Sequence, residues 1–237
     1  MSTGFDGRHA DDLDHYADLA RGFVPFAPER ATAYRQAGFW TGDPLDSILR
    51  DAAATWPDRT AVVDTEHRYT FAELDALADR VAGRIAALGV LPGDRMLLQL
   101  PNTCQFAVAL FGLLRAGVVP VLCLPGHRGA EMGHFAAVSG AVGLVLPEPT
   151  AAYDSRAMAA QLVAEHEALR HIIIGGPATG AEVSWSALTG PDGTDTPPRL
   201  RVNTALPAVL LVSGGTTGDQ EHGRLRVRSA GGGQCRP

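Results

Sequence analysis

The chain contains no lysine, because all 20 of its basic residues are arginine. No lysine side chain is therefore present to neutralise a phosphate. The richness in alanine, glycine, arginine and proline is typical of a GC-rich genome, which favours arginine codons and explains the bias without reference to function. The net charge of -6 gives no reason to expect nucleic acid or an anionic membrane as a partner.

Cysteine is also scarce. Cys104, Cys123 and Cys235 are too few and too widely spaced for a disulfide framework or a zinc site, which indicates reduced thiols in a cytoplasmic protein. The histidines at positions 127, 134, 166 and 171 show no metal-ligand spacing either, so no metal site is predicted.

Long uninterrupted apolar runs are missing as well. The longest, residues 106–124, is broken by Arg115, by two glycines and by Pro120, which favours a helix, a turn and a buried strand over a membrane span. Residues 1–15 carry acidic side chains without a basic segment before an apolar run, so no secretory signal is predicted.

Short apolar runs alternate with amphipathic segments along the chain. This alternation predicts an α/β fold, with a parallel or mixed sheet wrapped by helices. The helix that follows Thr70 has a capping-box glutamate, Glu73, at its start and Gly89 as a suitable C-cap. Helices are predicted at residues 44–56, 71–88, 105–116, 130–138 and 155–169, and strands at 60–64, 94–100, 118–124, 142–146, 171–174 and 207–212.

Composition divides the chain into three parts. Residues 1–40 are polar and rich in proline and glycine, which predicts an irregular arm. Residues 41–218 form the predicted domain, with a polar loop at 189–199. Residues 219–237 carry four arginines and three consecutive glycines but almost no apolar periodicity, so they are expected to be a disordered tail.

The most informative motif follows the apolar segment 208–212. Its glycines let backbone N–H groups approach an anion, and its hydroxyls suit phosphate oxygens. A polar turn after a buried strand is the alternative interpretation. The motif is not a Walker loop, because Gly-Lys-Ser/Thr is absent, and no Gly-x-Gly-x-x-Gly follows the early strands. The predicted phosphate-binding residues are Ser213, Gly214, Gly215, Thr216, Thr217 and Gly218.

Several upstream stretches accompany this loop in a recognisable order. They are residues 34–40, 56–64, 69–74, 100–102, 115–121 and 124–128. Together with the loop, from about residue 20 to residue 218, they resemble the adenylate-forming (AMP-binding) superfamily. The Leu-Pro-x-His-Arg element at 124–128 and the Ser-Gly-Gly form of the loop are most similar to the aryl-acid branch, the 2,3-dihydroxybenzoate- and salicylate-AMP ligases of siderophore assembly.

The resemblance implies a fold and an activity. The fold would be the N-terminal part of the large domain of an acyl-adenylating enzyme, incomplete in this chain. The loop would wrap the β- and γ-phosphates of ATP, accompanied by Mg²⁺, while an aryl acid attacks the α-phosphorus to give aryl-AMP and pyrophosphate. The aryl group would then pass to the thiol of an aryl carrier protein. His127 and Arg128 could lie near the nucleotide, although a structural role for this pair is the favoured alternative, and no catalytic residue is identified.

The sequence departs from the family after the loop. Asp219-Gln220-Glu221 follows, which would put two carboxylates beside a site for polyphosphate. Like charges about 5 Å apart repel by several kcal/mol at an effective dielectric constant near 20, so these carboxylates would work against phosphate binding. The acyl pocket and the C-terminal domain with its lysine would be expected beyond residue 218, and a frameshift after Gly218 would explain the change of character. The coding DNA tests this hypothesis, which is wrong if no alternative frame restores family-like sequence.

Two alternatives to an active aryl-acid ligase remain open. One is an inactive remnant with at most weak nucleotide binding. The other is a fragment of an acyl-CoA ligase or of an amino-acid adenylation domain.

Overall fold

The computed structural model describes residues 26–191, 204 and 206–212. Within those residues lie seven helices and eight strands. The helices are α1 (Pro28–Gln36), α2 (Ser47–Thr55), α3 (Phe71–Ala87), α4 (Cys104–Arg115), α5 (Gly129–Ser139), α6 (Ser155–Glu165) and α7 (Trp185–Thr189). The strands are β1 (Thr60–Val63), β2 (Arg68–Thr70), β3 (Arg95–Leu98), β4 (Val119–Leu122), β5 (Gly143–Leu146), β6 (His171–Ile174), β7 (Val183–Ser184) and β8 (Leu210–Leu211).

Six of the strands form one sheet in the order β7-β6-β5-β3-β4-β8. Strand β3 lies inside it, because Leu97 pairs with Val121 of β4 on one side and with Leu144 of β5 on the other. Strand β8 returns to the outer side of β4, where Leu210 lies beside Val121. Every pairing in this sheet is parallel. The expected parallel or mixed sheet wrapped by helices is confirmed and is parallel throughout, while β1 and β2 form a separate antiparallel pair.

The sheet is covered by helices on both faces. Successive side chains of a strand point to opposite faces, so Met96 and Leu98 join a core cluster with residues of α3 and α4, whereas Leu97 joins a second cluster with residues of α5 and α6. All three side chains are fully buried. The near-continuous apolar runs of the sequence therefore correspond to strands buried between two helical layers.

Helix α3 begins as its sequence predicts. The Thr70 hydroxyl accepts a 3.2 Å hydrogen bond from the backbone N–H of Glu73, and the Glu73 carboxylate accepts a 2.8 Å bond from the backbone N–H of Thr70. Two N–H groups that the helix cannot satisfy are thus paired reciprocally. Gly89 follows the helix with a φ of 81°, as the predicted C-cap requires.

Helices α3 and α4 pack closely at a glycine. A Cβ atom at position 112 would lie 2.4 Å from Cγ1 and 2.6 Å from Cβ of Val81. Both atoms belong to a branched side chain whose χ1 angle is restricted in a helix, so it cannot easily move aside. Gly112 therefore sets the separation of the two helices.

A buried arginine joins three helices. The side chain of Arg115, at the end of α4, is 0% exposed and forms ion pairs with Asp46, Asp75 and Asp79. Asp46 precedes α2, while Asp75 and Asp79 belong to α3. A buried cation is tolerated only when it is paired and hydrogen-bonded, and these three carboxylates meet that condition.

Residues 1–40 were expected to be irregular, and this expectation is wrong for α1. Pro28 suits the first turn of a helix, Glu29 lies at the positive end of the helix dipole and Arg35 lies near the negative end. The helix lacks an apolar stripe, since Ala31 is its one buried residue, and periodicity therefore gave no signal. Residues 1–25 lie outside the described part of the chain.

Other differences concern boundaries and short elements. Helix α6 ends at Glu165, earlier than residue 169, because His166 adopts an extended conformation and Leu169 turns back into the core. Strand β7 and helix α7 were not predicted at all. Most of the expected loop at 189–199 and the whole expected tail at 219–237 lie outside the described residues.

Among the helices of residues 26–191, none combines the length and the apolar composition of a membrane span.

Candidate functional site

Strands β4 and β8 lie side by side and end at the same edge of the sheet. Leu122 of β4 pairs with Leu211 of β8, and parallel strands leave a sheet in the same direction. The chain beyond β8 continues through Val212 into the predicted phosphate loop, residues 213–218, which lies outside the described residues. The chain beyond β4 forms the turn 124–128. Ligands of open α/β sheets bind at this carboxyl edge, so the turn is part of the candidate site.

A buried glutamine holds this edge together. The Gln99 side chain follows β3 and is 0% exposed. Its Nε2 donates to the carbonyl oxygens of Leu124, at 3.0 Å, and of His127, at 2.9 Å. Its Oε1 accepts a hydrogen bond of 2.7 Å from the hydroxyl of Tyr153. Both amide protons and the amide oxygen are therefore used, as a buried amide requires, and three separate segments are joined.

Tyr153 lies between this amide and an arginine. The guanidinium carbon of Arg128 lies 4.4 Å from the centre of the Tyr153 ring, which is a cation–π contact. Burial raises the pKa of the Tyr153 hydroxyl, and the nearby Arg128 charge opposes the rise. The hydroxyl therefore stays protonated at neutral pH and can donate to Gln99.

Arg128 is also fastened to its own turn. Its Nη1 donates to the carbonyl oxygens of Pro125 and His127, both at 2.9 Å. Its backbone N–H donates to the carboxylate of Glu131, at 3.0 Å, at the start of α5. This hydrogen bond is the main reason why the pKa of Glu131 is lowered. The exposed guanidinium is thus held in one orientation by the ring and by two carbonyl groups.

His127 closes the same turn. Its Nδ1 accepts a hydrogen bond of 3.1 Å from the backbone N–H of Leu124, so the proton of the neutral ring is on Nε2. The ring packs edge-on against Phe135 of α5, with centroids 5.0 Å apart. The contacts of His127 match the structural role that the sequence favoured for the pair, whereas Arg128 also presents a charge at the edge of the sheet. Whether either residue meets a nucleotide stays a prediction.

Sequence reasoning missed Gln99 and Tyr153. Gln99 did give a signal, because it is a polar residue inside the apolar run Met-Leu-Leu-Gln-Leu, and such residues need buried partners. Tyr153 gave none, since it lies in a polar connection between β5 and α6 whose path cannot be read from the sequence.

The two cysteines within the described residues are buried and free. Burial raises the pKa of the Cys123 thiol to about 12 and is also the main cause of the raised pKa of Cys104. Both act as small apolar side chains, as the sequence indicates. Within residues 26–191, 204 and 206–212, no group of three or more His, Cys, Asp or Glu side chains is placed to hold a metal ion.

Known proteins share much of the sequence of this chain. Residues 49–220 match the family model for AMP-binding enzymes. The salicyl-AMP ligase / salicyl-S-ArCP synthetase of Mycobacterium tuberculosis is 56% identical over 202 residues, which cover 83% of this chain and 35% of that protein. The 2,3-dihydroxybenzoate-AMP ligase of Bacillus subtilis is 34% identical over 84% of this chain and 36% of its own length.

A solved structure agrees with these relatives. The apo structure of Mycobacterium smegmatis MbtA is 55% identical and superposes with a TM-score of 0.78, over 85% of this chain and 37% of that one. The chain thus spans little more than a third of the length of these relatives. The superposed part has the α/β architecture of an acyl-adenylating ligase. On the family match and the identity to these ligases, the chain belongs to the AMP-binding enzyme family.

Proposed function

We propose that this chain carries the ATP-phosphate-binding part of an aryl-acid adenylating ligase that serves siderophore biosynthesis. The substrates would be salicylate or 2,3-dihydroxybenzoate and ATP, and the products aryl-AMP and pyrophosphate. The aryl group would then pass to the thiol of an aryl carrier protein. The observation that carries the proposal is the 56% identity to a salicyl-AMP ligase over 202 residues, since that relative is named for this chemistry.

The geometry of the sheet supports the same assignment. The predicted phosphate loop follows Val212 directly in the sequence, and β8, which leads to it, is the parallel neighbour of β4, which leads to the turn that carries Arg128. Backbone N–H groups of Gly214, Gly215 and Gly218 and the hydroxyls of Ser213, Thr216 and Thr217 would receive the β- and γ-phosphates. The guanidinium of Arg128 is held in one orientation at the same edge, and its paired N–H donors suit phosphate oxygens. The described residues therefore fit a polyphosphate ligand.

The chemical step would consist mainly of positioning. An oxygen of the aryl carboxylate attacks the α-phosphorus, and the bond from that phosphorus to the bridging oxygen of the β-phosphate breaks. Pyrophosphate leaves with the bonding electron pair. The loop would fix the β- and γ-phosphates and stabilise the charge that develops on them, as in other phosphate-transfer sites. Mg²⁺ would supply further charge neutralisation, and no residue of the described part is assigned to it.

Nucleotide binding can be tested on the chain itself. ATP should raise the midpoint of thermal unfolding, because a ligand that binds only the folded state stabilises it. The double variant Thr216→Ala/Thr217→Ala should lose this shift while unfolding at the wild-type temperature without ATP. A folded wild-type chain whose midpoint does not respond to millimolar ATP would overturn the proposal.

An inactive remnant is a second candidate, favoured by Asp219 and Glu221 within three residues after the loop. Their charges would repel polyphosphate, so Asp219→Asn/Glu221→Gln should tighten ATP binding in either case. ATP–pyrophosphate exchange separates the two candidates. Exchange that depends on salicylate or 2,3-dihydroxybenzoate, and that Thr216→Ala/Thr217→Ala abolishes, identifies the ligase. ATP binding without exchange identifies the remnant. Exchange with an amino acid instead would assign the chain to another branch of the family.

A further inference from the structure

We propose that Gln99 is a positioning residue for the nucleotide, which acts by holding the guanidinium of Arg128 at the carboxyl edge of the sheet. This inference rests on the proposed function, because it gives Arg128 the polyphosphate of ATP as its ligand. Gln99 is 0% exposed and cannot itself touch a ligand. Its influence must pass through the groups to which it is hydrogen-bonded.

The first connection runs through a shared carbonyl group. The carbonyl oxygen of His127 accepts one hydrogen bond from Gln99 Nε2 and another from Arg128 Nη1, both at 2.9 Å. A carbonyl oxygen has two lone pairs, and here each is used. The amide of Gln99 thus fixes the acceptor on which the guanidinium rests.

The second connection runs through an aromatic ring. The Tyr153 hydroxyl donates to Gln99 Oε1 at 2.7 Å, and the Tyr153 ring lies beneath Arg128 with 4.4 Å between the guanidinium carbon and the ring centre. The same hydroxyl also lies 3.2 Å from Sδ of Met158. One end of Tyr153 is therefore fixed by a buried amide, and its face supports the charge.

The arginine keeps donors for a ligand. A guanidinium has five N–H groups, and within residues 26–191, 204 and 206–212 the side-chain hydrogen bonds of Arg128 both come from Nη1. Nε and Nη2 remain as donors on an exposed side chain. Two donors in this fixed arrangement match two oxygens of a phosphate, which a flexible side chain would have to be ordered to do.

The arrangement lies where the proposed ligand would be. The turn 124–128 follows β4, and residue 213, the first of the predicted phosphate loop, follows the end of β8 by two residues. Because β4 and β8 are parallel neighbours, both segments start at the same edge. Gln99 follows β3, the neighbour of β4 on its other side. The buried Gln99 amide thus links the segments that follow β3, β4 and β5 at this edge of the sheet.

The test is a double-mutant cycle measured by ATP binding to the full 237-residue chain. Arg128→Leu should weaken ATP binding by about tenfold, the loss expected of one charge-assisted contact. Gln99→Leu should weaken it by a similar factor, because the acceptor and the ring lose their support. In Gln99→Leu/Arg128→Leu the loss should equal that of Arg128→Leu alone, because Gln99 acts only through the arginine. Losses that multiply would overturn the inference, since a general structural effect would be independent of Arg128.

A milder variant keeps the test valid if Gln99→Leu does not fold. Tyr153→Phe removes the hydroxyl that Gln99 accepts from but keeps the ring under the arginine, so it should fold and weaken ATP binding by about two- to fivefold. This loss should also vanish in the Arg128→Leu background. Wild-type affinity in Tyr153→Phe and in Gln99→Leu would contradict the inference.

The inference and the proposed function fail in different ways. If the wild-type chain binds ATP and Thr216→Ala/Thr217→Ala does not, the proposed ATP-phosphate site stands whatever Gln99→Leu does. If the folded wild-type chain does not bind ATP, both fail. Arg84→Leu is a matched control, because Arg84 donates its hydrogen bond to the carbonyl of Gly190 beyond α7. Its substitution should leave ATP affinity unchanged.

Discussion

Oδ2 of Asp64 accepts a hydrogen bond of 2.7 Å from the backbone N–H of Cys104, the first residue of helix α4. The other carboxylate oxygen of Asp64 accepts hydrogen bonds from the backbone N–H groups of Glu66, at 2.9 Å, and His67, at 2.7 Å. One carboxylate therefore closes the turn between β1 and β2 and joins it to α4. An anion near the first turn of a helix is also favoured by the helix dipole.

These contacts predict how stability depends on pH. The hydrogen bond from Cys104, followed by those from His67 and Glu66, lowers the pKa of Asp64 well below its ordinary value of 3.8. Because the folded-state pKa is the lower one, the contribution is complete above about pH 5 and is lost as the pH falls below about 4. In Asp64→Asn the thermal midpoint should be lower at pH 7 and should fall less between pH 5 and pH 3.

The matched control for this prediction is Asp58→Asn. Asp58 is exposed, and no side-chain hydrogen bond of it is found within the described ranges. Its substitution should leave the fall of the thermal midpoint between pH 5 and pH 3 unchanged. An Asp64→Asn curve parallel to that of the wild type would show that Asp64 does not carry this dependence.

Arg115 predicts a large cost for removing a buried charge. Arg115→Met would remove the buried cation from Asp75 and Asp79 and leave Asp46, whose side chain is 7% exposed, with the half-exposed Arg50 alone. Breaking a buried ion pair in this way costs about 3–5 kcal/mol in the free energy of unfolding. Urea unfolding should therefore move strongly to lower concentration, and Arg115→Met/Asp46→Leu should recover part of the loss.

Arg50 provides the comparison within the same cluster. Its side chain is 37% exposed and pairs with Asp46 at 3.0 Å. An exposed ion pair contributes about 0–1 kcal/mol, so Arg50→Ala should cost no more than that. Equal costs for Arg50→Ala and Arg115→Met would show that burial does not decide the energy of this cluster.

Gly112 predicts that a stronger helix former destabilises the protein. Alanine favours a helix over glycine by about 0.5–1 kcal/mol, but its Cβ would lie 2.4 Å from Val81 Cγ1. Overpacking of a core typically costs about 1–3 kcal/mol. Gly112→Ala should therefore lower the free energy of unfolding, and Gly112→Ala/Val81→Ala should restore part of it. A more stable Gly112→Ala protein would show that α3 and α4 can separate without cost.

The sequence predicted the features that depend on local patterns. Strand β4 is apolar throughout, and α3 combines a 3.6-residue period with a capping box, so both followed from spacing and propensity. Helix α1 was missed because it lacks an apolar stripe, and the features that favour it are Pro28 in its first turn and the charges of Glu29 and Arg35 at its ends.

The candidate site could be predicted only in part. The loop 213–218 and the turn 124–128 were found because they are continuous motifs. The network around Gln99 was not, because its partners lie 25, 28 and 54 residues away along the chain. Such contacts depend on the order of strands in the sheet, and that order places β3, β4 and β5 side by side.

The cysteines predict how the folded chain reacts with thiol reagents. Only a thiolate reacts, and a pKa of about 12 for Cys123 leaves about one thiol in ten thousand ionised at pH 8. In a Cys235→Ser background the remaining thiols are Cys104 and Cys123, and burial raises the pKa of Cys104 as well. Labelling by a disulfide reagent at pH 8 should therefore be far slower in the folded protein than in denaturant, where both thiols should react.

A cysteine at the neighbouring position separates burial from local sequence. Leu124 is 63% exposed, whereas Cys123 is 5% exposed. Leu124→Cys in the same background should therefore add one thiol that reacts within seconds to minutes, while the two native thiols remain protected. Fast labelling of both native thiols without denaturant would contradict their burial, because the desolvation that raises their pKa values also keeps the reagent away. If both native thiols react only in urea, as expected, they belong to the cooperative core, and the rate at which they are labelled measures unfolding.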